Sequence, residues 1–163
     1  MPAGPTTPPT KPAEQPDPTA KPSLASPVTS TTPTGAVMFD GNWAVRVECP
    51  RHEDGAMGYT LDLMAQVQNG HLHGETGTEG QPGWMQLRGL IRSDGAARLH
   101  AKGLTGDPRF AVKSVRSGSP YQYDVEATFT ANEGHGRRLQ LRACQLAFNR
   151  NNHPPAKPGV FKL

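Results

Sequence analysis

The dipeptide Asn69-Gly70 constrains this chain more than any other feature. Both residues tolerate the left-handed backbone that a two-residue hairpin turn demands. Before it runs Tyr59-Thr-Leu-Asp-Leu-Met-Ala-Gln-Val67, with Tyr59, Leu61, Leu63, Ala65 and Val67 at alternate positions. A period of two marks a strand with one buried face. Pairing across the turn sets Gln68 opposite His71, Val67 opposite Leu72 and Ala65 opposite Gly74. Inward residues then meet, and a partner strand is expected over about 71–78.

A second hairpin is legible downstream. Met85, Leu87, Gly89 and Ile91 share one face of a strand from Trp84 to Arg92. After Ser93-Asp94-Gly95, a two-residue loop would set Ile91 against Arg98. A three-residue loop with Gly95 left-handed sets Ile91 against Ala97, Gly89 against Leu99 and Leu87 against Ala101. The apolar pattern selects the latter register, with a strand over about 96–103.

Trp43, Val45, Val47 and Cys49 alternate in the same way until Pro50, which cannot donate to a ladder. Tyr121, Tyr123, Val125, Ala127 and Phe129 define another strand. Residues 110–115 read as a further strand and Asn132 to Gly136 as a turn. A last strand over 137–149 changes phase near Ala143. No ten-residue window carries a helical period. The expectation is an all-β fold, a seven- or eight-stranded antiparallel up-and-down barrel over 37–150, with a β-sandwich as the alternative. Cys49 and Cys144, the chain's two cysteines, mark the first and last strands, which a barrel must pair. On adjacent strands they would form a disulfide and imply an oxidising compartment. The other reading is two buried thiols.

Residues 1–36 hold 10 of the 17 prolines, 8 threonines and no aromatic residue. They cannot bury enough apolar surface to offset their ordering entropy, so a disordered Pro/Thr-rich linker is expected. Residues 151–163 read as a polar tail. The net charge of +3 is too modest to argue for nucleic acid. No stretch approaches the length of apolar residues needed to span a bilayer, and no secretory signal is visible. A Pro/Thr-rich leader commonly joins a module to an anchor or another domain. A periplasmic or extracellular location is therefore expected, with a cytoplasmic one as the alternative. The chain is read as a monomer or a domain of a larger protein.

Two surfaces are candidate sites. On the outer face of the second hairpin, Arg88, Arg92, Arg98, His100 and Lys102 gather with Trp84 at one end. Such a stripe would suit an anionic polymer or an acidic protein surface, unless acids on neighbouring strands neutralise it. Inside the barrel, Tyr59, Leu61, Tyr121 and Tyr123 would line a site for a small apolar ligand, with inward Gly74, Gly89 and Ala101 leaving room. His71 and His73 share a strand face with Glu75, a weak candidate metal set lacking a third histidine at a matching spacing. No nucleophile–base signature, phosphate loop or dinucleotide fingerprint occurs. No enzyme and no cofactor are expected. The chain reads as a binding module with an outer-face partner, alternatively a carrier or a purely structural cap.

Gly41-Asn42-Trp43 at the start of the first strand resembles the Gly-x-Trp of calycins, the lipocalin-like and avidin-like barrels. The resemblance implies that Trp43 packs at the closed end of a barrel against an arginine from a late strand, Arg138 or Arg142. Residues 39–149 also look like a small domain that recurs at the C-termini of varied bacterial proteins without an assigned role.

Overall fold

A computed structural model describes residues 36–152, with the isolated Gly4 before them. The expectations for the linker and the tail lie outside these residues, except that Ala36 opens a short 3-10 helix and Asn151 ends the last strand. Eight antiparallel strands run in sequence order and close into a barrel. They are β1 (Gly41–Cys49), β2 (Tyr59–Gln68), β3 (His71–Thr76), β4 (Met85–Ile91), β5 (Ala96–Leu104), β6 (Pro120–Phe129), β7 (Glu133–Arg138) and β8 (Gln145–Asn151). No α-helix occurs among the described residues, and no helix is long and apolar enough to cross a membrane.

Both hairpins take the expected registers. Val67 pairs with Leu72, Ala65 with Gly74, Ile91 with Ala97 and Leu87 with Ala101. Gly95 is left-handed (φ 86°) and its carbonyl accepts from the Phe129 amide at 2.8 Å. A Cβ there would stand 2.2 Å from the Phe129 oxygen, so space as well as conformation requires glycine.

Three expectations are corrected. Residues 110–115 form no strand: Pro108–Phe110 and Val112–Ser114 are 3-10 turns in the β5–β6 loop. Asp107 caps the first of these by accepting from the Arg109 amide at 2.9 Å. The stretch 132–136 is largely strand rather than turn. Its glycines read as turn residues, yet Gly134 and Gly136 face the interior. A Cβ at Gly134 would lie 2.7 Å from Phe129 Cδ1, and one at Gly136 would lie 2.9 Å from Val125 Cγ1. Glycine here makes space for large neighbours in a narrow barrel. The single strand over 137–149 is two strands, β7 and β8, separated by residues 139–144. That loop accounts for the phase shift near Ala143.

Closure rests on β1, which pairs with β2 on one side and β8 on the other. Cys49 and Cys144 are disulfide-bonded across this seam, 95 residues apart in sequence. The lower interior is filled. Trp43, Val45, Val47, Leu72, Leu87, Ile91, Leu99, Val125 and Leu146 are fully buried.

One end of the barrel is sealed. The 3-10 helix Ala36–Phe39 lies across it with Phe39 buried against Phe129. Trp43 Nε1 donates to the Phe39 carbonyl at 2.8 Å, and its ring meets Phe129 edge-on at 5.4 Å. The Asp40 carboxylate accepts from the amides of Asn69 and Gly70, which binds the helix to the β2–β3 turn. The arginine over the Trp43 ring is Arg150, 5.9 Å from its centroid, and not Arg138 or Arg142. Arg150 also donates to the carbonyls of Met38, Ala131 and Asp40.

Replacing Cys49 and Cys144 together by serine is expected to lower unfolding free energy in denaturant by roughly 4–5 kcal/mol, the value for a closed loop near 100 residues. An unchanged denaturation midpoint would show that strand pairing alone carries the seam.

Candidate functional site

The opposite end of the barrel is open. Four connections surround it: the β1–β2 loop, the β3–β4 loop, the long β5–β6 loop and the β7–β8 loop. A cavity of about 550 Å³ opens at this end, walled by the starts of β2 and β6, the β5–β6 loop, the end of β7 and the β7–β8 loop. Tyr59, Leu61, Phe110, Tyr121, Leu141 and Arg138 supply much of its wall. The next inward layer, Leu63, Leu87, Leu99 and Val125, is packed and forms no part of it. The cavity is therefore a bowl on a solid floor and does not penetrate the barrel. Larger clefts of about 820 and 800 Å³ lie on the outer wall between exposed side chains of neighbouring strands.

Alternation along each strand decides which groups reach the bowl. Tyr59 and Leu61 point inward from β2, and Tyr121 and Tyr123 from β6. Arg138 follows Gly134 and Gly136 on the inward face of β7, opposite Val125. The rings of Tyr121 and Tyr123 stack at 6.1 Å, and Tyr59 meets Phe110 at 6.1 Å. Of the sequence-predicted interior set, Tyr59, Leu61 and Tyr121 line the cavity and are half-buried, while Tyr123 lies deeper and is buried. Gly103 pairs with Tyr121, and a Cβ there would stand 2.5 Å from the Tyr121 hydroxyl.

Burial sets the electrostatics. It raises the phenols of Tyr59 and Tyr123 above the usual tyrosine range and pushes Tyr121 up to about 12. All three remain neutral hydroxyls at ordinary pH. Burial also lowers Arg138, whose guanidinium lies 4.1 Å from the Tyr123 ring centroid. Its Nε is buried with no hydrogen-bond partner, and no ion pair reaches it among the described residues.

Arg142 does the opposite. It is 2% exposed and fully engaged, donating to the carbonyls of Pro50 and Phe110 at 2.7 Å each and to that of Met57. One guanidinium from the β7–β8 loop thus holds the β1–β2 loop at two points and the β5–β6 loop at one, beside the Cys144 bond. Asp54 adds a second clamp. Its carboxylate accepts from the Lys113 amide at 2.7 Å and the Ala56 amide at 3.1 Å. The Lys113 amide first, then the Ala56 amide and His52, hold it down to about 2. Lys113, Ser114 and Leu141 carry positive φ values of 63°, 50° and 61°. Such backbone conformations cost energy in residues with side chains, and they gather at ligand clamps.

The outer face differs from its expectation. Arg88, Arg92, Arg98, His100 and Lys102 do share the wall of β4 and β5, but acids from adjacent strands and turns meet three of them. Arg92 pairs with Asp94 at 2.7 Å, His100 with Asp124 at 3.0 Å and Arg98 with Glu126 at 3.9 Å. Trp84, expected as its exposed aromatic, is 7% exposed, and its Nε1 donates to Glu75 at 2.5 Å. Lys102 lies 5.4 Å from the Trp84 ring centroid. His71 and His73 are exposed, His73 standing 3.9 Å from Glu75, and no group of three metal-ligating side chains occurs among the described residues.

Two important arginines escaped the sequence reading. Arg150 was recoverable: Trp43 stands six residues before Cys49, and Arg150 stands six after Cys144, so antiparallel pairing aligns them. Arg138 is legible in the sequence only through the calycin resemblance, as a partner for Trp43, because the change of phase in the last strand hides which way it points. Compared with protein-family models, curated proteins and solved structures, the chain matches none.

A carboxylate with a depressed pKa contributes stability above its unfolded value near 4, and loses it as pH falls toward 2. The Lys113 and Ala56 amides should therefore lose hydrogen-exchange protection between about pH 4 and about pH 2. Asp54→Ala should show the same loss at neutral pH. Full protection of Lys113 in that variant would remove Asp54 as a clamp of the mouth.

Proposed function

We propose that this domain is a non-enzymatic binding module that receives a small, largely apolar ligand in the mouth of its barrel. The cavity above the packed core carries this reading. Its volume lies in the range of small-molecule sites, and its wall combines aromatic and aliphatic side chains with a few polar groups. The clamps by Arg142 and Asp54 support it further, because they brace the surrounding loops through the protein's own hydrogen bonds.

The outer face is the less favoured site. Arg92, Arg98 and His100 each have an acid within 3.9 Å, and Trp84 faces Glu75 rather than solvent. The disulfide supports an oxidising compartment, periplasmic or extracellular. A module of an exported or envelope protein fits both features.

Titration with the neutral apolar fluorophore N-phenyl-1-naphthylamine tests the site. We expect saturable binding to the wild-type protein, weakened by Ala111→Trp, which fills the bowl from the β5–β6 loop. The Arg88→Glu, Arg98→Glu double variant should bind equally well. Binding lost in the double variant and kept in Ala111→Trp would move the site to the outer face.

A further inference from the structure

Among the described residues, the mouth holds a cation without a counter-ion. Arg138 reaches inward from β7 and lies over Tyr123 at 4.1 Å. Its Nε is shielded from water and makes no hydrogen bond. An arginine has five N–H donors in a planar fork, and burying any of them unpaired costs free energy. Natural interiors satisfy such groups, so this guanidinium stands at the cavity wall with hydrogen-bonding capacity unfilled.

The charges around the bowl are one-sided. Arg138, Arg142 and Lys113 line it, and Asp107 is the carboxylate among its lining residues. Asp107 is already committed. Its oxygens accept from the Arg109 amide at 2.9 Å and from the Arg109 side chain at 2.5–3.1 Å. Arg142 is spent on loop carbonyls. Arg138 and Lys113 therefore remain available, and of the two Arg138 is the partly buried one while Lys113 is exposed. Tyr59 and Tyr121 line the same cavity, with phenols that stay neutral.

Shape narrows the ligand further. A long acyl chain would need a channel into the barrel, and the layer of Leu63, Leu87, Leu99 and Val125 closes it. The walls are rings and short aliphatic groups: Tyr59, Phe110, Tyr121, Leu61 and Leu141. A flat, compact body fits between them and can stack on their faces.

Resting on the cavity reading above, we propose that the mouth binds a compact aromatic carboxylate, whose anion pairs with the Arg138 guanidinium while its ring lies among Tyr59, Phe110 and Tyr121. Arg138 lines the bowl, and the solvent-facing part of its guanidinium offers the carboxylate charge-assisted hydrogen bonds.

Isothermal titration of the oxidised full-length chain with 2-naphthoate, 2-naphthalenemethanol and palmitate tests this. A hydrogen bond to a charged group supports a preference of about 10- to 100-fold for the acid over the alcohol. Arg138→Met should reduce naphthoate binding to the level of the alcohol and leave the alcohol unchanged. Arg138 has no ion-pair partner among the described residues and methionine can replace its packing on Tyr123, so the variant should fold with a melting temperature close to the wild type's. Equal binding of acid and alcohol by the wild type would overturn the anion pairing and leave the cavity reading standing. That comparison needs no variant. Naphthoate binding that survives Arg138→Met would also overturn the pairing. Palmitate binding tighter than naphthoate would overturn the compact-ring assignment. Should none of the three probes bind, and the neutral fluorophore also fail, the cavity reading itself falls.

Discussion

The closing seam between β1 and β8 is the constraint on which everything else depends. Seven of the eight strand pairings join neighbours in sequence and can form locally. The eighth joins the two ends of the folded body. Without it, β1 and β8 would be exposed sheet edges, and the interior would open along its length. Two devices hold it: the Asn42–Asn151 to Glu48–Gln145 ladder and the Cys49–Cys144 bond beyond it. At one end of the seam, Trp43 and Arg150 stand across from each other. At the other, Arg142 fastens the loops beside the disulfide. Both ends of the molecule are thus organised from the same pair of strands.

Three arginines show how one side chain serves different ends. Arg150 and Arg142 are each surrounded by backbone carbonyls, which satisfy their donors without a second charge. They act as rigid brackets, one under the sealed end and one beside the mouth. Arg138 has the same chemistry, but its Nε finds no acceptor. The difference lies in position. Arg142 in the β7–β8 loop and Arg150 near the end of β8 reach carbonyls exposed where the chain turns, whereas no such carbonyl meets the Nε of Arg138.

Sequence legibility followed turn chemistry. Asn69-Gly70 and Ser93-Asp94-Gly95 each admit few backbone geometries, and the flanking alternation then selects one register. Where glycine served packing instead of turning, the same logic failed, as at Gly134 and Gly136. The 105–119 loop has no period to read, and its two 3-10 turns depend on Asp107 and on contacts with the β1–β2 loop. The cations of the outer face were placed on the correct wall, but their acidic partners Asp124 and Glu126 come from the β5–β6 pairing, which the sequence reading did not derive. The interior tyrosines were legible from parity alone. Their neighbour Arg138 was not, because its parity depends on where β7 ends.

The meander also has a temporal consequence. Hairpins form between residues close in sequence, so most of the wall can assemble quickly. The β1–β8 seam must bring together segments about 100 residues apart, at an entropic cost that grows with loop length. A chain that already carries the Cys49–Cys144 bond has met much of that cost before folding begins. Oxidation then turns the slowest pairing of the barrel into a nearly local one, and the redox state of the compartment sets how long unpaired edges stay open to other chains.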